Sequence, residues 1–141
     1  GSSKTGDEST VSVPPGLARL EIVTTPGQPA YLQVDQLEQT HTLHNPGSPI
    51  VTSNGGNDAI VWVLDNNAKK SAPLHGPDSP QPVLYAFDAL SFRLLWKSEP
   101  AALSTSGKYN EPTVVRGTVF VGTDRIQAFG VRGRRGLQQV P

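Results

Sequence analysis

The sequence predicts an all-β protein. Three observations carry that reading. Fourteen glycines and 13 prolines, close to a fifth of the 141 residues, punctuate short runs rich in β-branched and aromatic side chains. The runs recur at regular spacing, with turn residues between them. No segment places apolar residues at helical spacing over a helix's length.

Residues 1–16 are small and polar and end in Pro14-Pro15-Gly16, which reads as a flexible leader. Leu17 to Thr25 alternates at Leu20, Ile22 and Thr24, a strand with one covered face. Pro26-Gly27 is turn chemistry, since proline presets φ and glycine accepts positive φ. Residues 30–35 read as a second strand and 39–43 as a short third. A strand over 49–53 leads to Asn54-Gly55-Gly56-Asn57-Asp58, the strongest turn signal in the chain. Residues 59–64 follow as a nearly continuous apolar run, suited to a strand covered on both faces. Residues 66–81 are polar and carry Pro73, Pro77 and Pro80, a long surface loop. Strands over 83–89 and 93–97 flank a tight turn, and 112–116, 118–123 and 125–131 read as three more. Residues 132–141 read as a frayed tail, whose Arg132, Arg134 and Arg135 form a solvated basic cluster.

The strands repeat. Pro82 to Asp88 superimposes on Pro29 to Asp35, and Ala86-Phe87 on Ala128-Phe129. Val61-Trp62-Val63 matches Val119-Phe120-Val121, and Pro49-Ile50-Val51 matches Pro112-Thr113-Val114. The unit is four strands, A to D, at 49–53, 59–64, 83–89 and 93–97. Residues 17–43 supply B, C and D of an earlier unit, and 110–131 supply A, B and C of a later one. Consecutive four-stranded antiparallel units are how a β-propeller builds its blades. On this count residues 17–131 form about two and a half blades (17–43, 48–98 and 110–131). That ring is incomplete, to be completed by other blades of the same protein or by identical copies, because an open stack leaves unpaired edges and bare faces.

The run Ala86-x-Asp88-x-x-Ser91-x-x-x-x-Trp96 resembles the repeat of quinoprotein-like (PQQ-like) β-propellers, and Glu111 to Thr123 and Gly55 to Asp65 are similar to further segments of that family. Phe92 stands where the family's repeat has a turn glycine, Leu43 takes the tryptophan's place in the first unit, and Gly130 the aspartate's in the third. The resemblance implies that tryptophans dock neighbouring blades. Trp62, Tyr85, Phe87, Trp96, Phe120 and Phe129 are accordingly expected to pack between blades. Asp35, Asp65 and Asp88 each close a predicted strand and are expected to accept backbone N–H groups of the turns that follow.

Catalytic chemistry is sparse. There is no cysteine, hence no disulfide and no thiolate site. G-x-S-x-G and H-E-x-x-H are both missing. His41, His44 and His75 do not make a metal set, and no residue can be assigned to quinone or calcium binding. Twelve basic residues balance 12 acidic ones, so no net field favours nucleic acid or an anionic membrane, and no apolar run is long enough to span one. The absence of cysteine suits a periplasmic or extracellular setting, and the absence of methionine even at position 1 suits a processed or partial chain. The expectation is a non-catalytic, self-assembling or protein-binding scaffold without a cofactor. A fragment of a PQQ-dependent oxidoreductase, or a carbohydrate-binding module built on Trp62, Trp96 or the 66–81 loop, are the alternatives.

Overall fold

A computed structural model describes residues 16–67, 80–104, 111–131 and 137–140. The described residues form ten strands in three antiparallel sheets and contain no helix. Two compact units divide the chain at Leu43 and His44. The leader, most of the 66–81 loop and the arginine cluster lie outside the described residues.

The first unit is a hairpin of β1 (Leu17–Val23) and β2 (Tyr31–Glu38). In the turn, Pro26 presets φ and Gly27 adopts φ +77°, while the Gln28 N–H donates to the Thr25 carbonyl at 3.0 Å. That is the residue pattern of a type II turn. The register runs from Val23↔Tyr31 to Leu20↔Val34, then resumes at Arg19↔Gln36, so Asp35 is the extra residue of a bulge.

Two expectations for this stretch are corrected. Residues 39–43 are not a strand. The Glu38 carboxylate turns back on the chain and accepts the N–H groups of Thr40 at 2.9 Å and His41 at 3.2 Å, which spends donors that a further strand would need. Asp35 does not close a strand, because β2 runs on to Glu38.

The second unit holds two four-stranded meanders. The first sheet is β3 (Ile50–Asn54), β4 (Asn57–Asp65), β5 (Val83–Asp88) and β6 (Leu94–Lys97), hydrogen-bonded in chain order. The second is β7 (Thr113–Val115), β8 (Thr118–Gly122), β9 (Ile126–Val131) and β10 (Leu137–Val140), again in chain order. Strand β10 corrects both the frayed tail and the truncated third unit, since residues 137–140 pair with β9 and supply the fourth strand from within the chain.

Register shows that the two sheets are copies. Ile50↔Trp62 and Val51↔Val61 in the first correspond to Thr113↔Phe120 and Val114↔Val119 in the second. Likewise Trp62↔Ala86 and Val61↔Phe87 correspond to Phe120↔Ala128 and Val119↔Phe129. The fourth strands differ: the register shifts between Ala86 and Phe87 against β6, whereas β9 pairs with β10 without a shift from Ala128↔Val140 to Val131↔Leu137. Each A–B turn is a two-residue loop with both central residues at positive φ: Gly55 (+58°) and Gly56 (+92°), then Arg116 (+46°) and Gly117 (+77°). That sign pattern is the type I′ turn, whose twist matches the strands it joins.

The core lies between these sheets. Trp62, Leu64, Leu84 and Ala86 alternate onto one face of the first sheet and meet Val119, Val121 and Phe129 of the second. Leu103, from the connection between the sheets, is fully buried among them. Gln127 fastens that connection: its Nε2 donates to the Ala102 carbonyl at 2.6 Å and its Oε1 accepts the Ser104 N–H at 3.2 Å. The continuous apolar run of β4 is buried on both faces from Val61 to Asp65.

Candidate functional site

The aromatic residues singled out in the sequence fall into two groups. Trp62 is buried, and its indole N–H donates to Thr52 Oγ1 at 2.9 Å, so its polar atom is satisfied within the core. Trp96 on β6 and Phe129 on β9 meet across the two sheets, ring centres 5.6 Å apart and planes tilted by 58°. Tyr85 and Phe87 share the opposite face of the first sheet and stack at 5.7 Å.

Phe120 departs from this pattern. It occupies Trp62's position in the second sheet, yet it is 37% exposed. Among the described residues it is not part of the apolar cluster between the sheets. Phe120 lies on the side of β8 opposite Val119 and Val121, the residues that face the core.

The three aspartates differ as well. Asp88 ends β5 and accepts the N–H groups of Leu90 at 3.1 Å and Ser91 at 2.8 Å, with the Ser91 hydroxyl also at 2.8 Å. The Ser91 backbone N–H, then its hydroxyl, hold the Asp88 carboxyl below its ordinary value. Asp65 ends β4 and is buried, and its donors come from upstream: the N–H groups of His44 at 3.0 Å and Asn45 at 2.7 Å. It thereby ties the segment before β3 to the end of β4, alongside the Gly47 N–H bond to the Leu64 carbonyl at 2.8 Å. Asp35 pairs with Arg19 beside the bulge instead of capping a turn.

Among the described residues no three His, Asp or Glu side chains converge in a way that could hold a metal ion. His41 Nδ1 lies 3.1 Å from Glu38 Oε1, a local contact in the bend after β2. His75 lies outside the described residues. Among the described residues no helix is long and apolar enough to cross a membrane.

What the chain does display is apolar sheet surface. Val115, Phe120 and Ile126 share one face of the second sheet, and Ile126 is 79% exposed. In the hairpin, Leu20↔Val34 and Ile22↔Leu32 are adjacent cross-strand pairs on one face, and all four residues are about half exposed or more. Exposed apolar groups gathered on one sheet face mark a contact surface. The sequence puts Leu20 and Ile22 on a covered strand face and Phe120 in a packing position, and the structure leaves all three exposed; Ile126 is not singled out by it. The signal was available, because the offset that lays Phe129 on Phe87 also lays Ile126 on Leu84.

No family model, curated protein or solved structure matches the chain.

Proposed function

We propose that this chain is a non-catalytic scaffold of propeller-type blades that associates with other protein through its sheet faces, in the periplasm or outside the cell. The carrying observation is the contrast between Leu84 and Ile126. They hold one position of one repeat, and Leu84 is fully buried while Ile126 is 79% exposed. In the first sheet that face is covered by the neighbouring sheet. Among the described residues the second sheet carries the same face without such a cover, so the repeat supports continuation of the stack beyond the two sheets of the second unit. The Asp88 turn and the Trp96 contact with Phe129 support the quinoprotein-like repeat reading. Absence of cysteine supports the oxidising compartment.

Light scattering over a wide range of concentration tests this. The expected result is a mass that rises above the 15.0 kDa of the single chain. A monodisperse monomer at every concentration overturns the reading.

A further inference from the structure

Resting on that reading, we propose that the partner is a second copy of this chain, joined head to tail: the hairpin face of one copy docks on the outer face of β7–β9 of the next. The chain's own core supplies the template. Where the two sheets meet, one contributes the face of Trp62 and Leu84, and the other contributes the opposite face of the repeat, with Val119, Val121 and Phe129. Stacking therefore joins unlike faces, so each added sheet leaves the same kind of face bare as the one it covered.

Both halves of a further contact of this kind are exposed. The second sheet presents Phe120 and Ile126 at the positions of Trp62 and Leu84. Register places the hairpin on the complementary face. Leu20↔Val34 corresponds to Val61↔Phe87 and so to Val119↔Phe129. Ile22 corresponds in turn to Val63 and Val121. In both sheets of the second unit these positions are buried: Val63 and Val121 fully, Phe87 and Phe129 to within 1%. In the hairpin, Ile22 is 68% exposed. The hairpin thus carries the apolar residues of a stacking face, in the stacking register. Two unlike surfaces on one chain make a heterologous contact, which closes into a ring or extends as a filament according to the rotation between copies.

The test uses two variants of the full chain, Ile126→Asp and Ile22→Asp, each placing a charge on one surface at an exposed position. Unchanged circular dichroism checks their fold, with Phe120→Glu and Leu32→Glu as a second pair should either fail it. Each variant alone is expected to scatter as a monomer. Mixed in equal amounts they are expected to form a dimer that does not grow, because each retains the surface the other has lost. Variants that still assemble like the unaltered chain overturn this inference and leave association through some other face. Variants that stay monomeric when mixed overturn the head-to-tail pairing in favour of a symmetric one. An unaltered chain that never associates overturns both this inference and the scaffold reading.

Discussion

The sheet of β3–β6 and the sheet of β7–β10 share strand order, A–B turn type and the register of their two central strands, yet they bury different residues. Trp62 is 4% exposed and its counterpart Phe120 is 37% exposed. A repeat fixes which side chain points to which face. It does not fix whether that face is covered, because cover comes from the next sheet along. The two sheets form a controlled pair, in which the same position can be altered with and without a neighbour upon it.

The largest effects should come from the shared core. Phe129→Ala removes a ring that is buried at the sheet–sheet contact and tilts against Trp96. It should cost about 3–5 kcal/mol in urea unfolding, whereas Phe120→Ala should cost no more than about 1 kcal/mol in dilute solution. Equal costs would mean that the second sheet's outer face is covered within the single chain. The same contrast applies one pair further along. Leu84→Ala should cost about 2–5 kcal/mol, and Ile126→Ala should stay within about 0.5 kcal/mol of the unaltered chain at low concentration. If copies stack, the Ile126 cost should grow with protein concentration, since binding stabilises the folded state by mass action.

The pairing of β3 through β9 was legible in the sequence because turn chemistry and repeat offsets constrain it from two sides. A slip of one residue would have moved Leu84 and Trp62 off the core face together. The exceptions have local causes. Leu137-Gln138-Gln139-Val140 follows Arg-Gly-Arg-Arg-Gly, a run that reads as solvated tail, and only the neighbouring edge of β9 gives it a partner. Asp35 aligns with Asp88, but the bulge carries the strand past it, and a bulge depends on both strands at once. The exposure of Phe120 could not be read from its own strand at all.

Phe92 sharpens the comparison at the turns. It sits at φ +55°, a conformation costly for any residue with a Cβ. Its side chain is nonetheless buried. Phe92→Gly should relieve about 1–2 kcal/mol of backbone strain and forfeit about 3–5 kcal/mol of packing. The net result is a less stable protein in urea unfolding. A gain in stability would show that the ring contributes little and that the turn alone sets the energy.

Smaller effects belong to the exposed carboxylates. The Arg125 side-chain hydrogen bond, first among its causes, lowers the Asp124 carboxyl from 3.8 to about 2. Its folded value lies below its unfolded one, so its stabilising contribution is complete above pH 3.8 and is lost as the pH falls toward 2. Asp124→Asn should therefore flatten the acid limb of the stability curve in that window: the variant is slightly less stable than the unaltered chain at neutral pH, and the two converge as the pH falls toward 2. Asp88, lowered chiefly by the Ser91 backbone N–H, should act in the same direction. An acid limb that keeps its slope in Asp124→Asn and in Asp88→Asn would place acid sensitivity elsewhere.

The A–B turns give the finest contrast. Gly55-Gly56 in the first sheet adopts two positive φ angles without a Cβ to resist them. Arg116-Gly117 makes the same turn with arginine at φ +46°. Asparagine tolerates that region better, since its short side chain can hydrogen-bond the local backbone, and Asn-Gly is a favoured pair for type I′ turns. Arg116→Asn should thus stabilise the chain by about 0.5–1 kcal/mol, seen as a higher urea midpoint with an unchanged slope. The opposite change, Gly55→Arg, should destabilise by a similar amount, because both turns stand in the open and differ at that position by little more than a Cβ and its backbone preference. A loss on Arg116→Asn would show instead that the arginine side chain holds the second sheet in a way the first does not need.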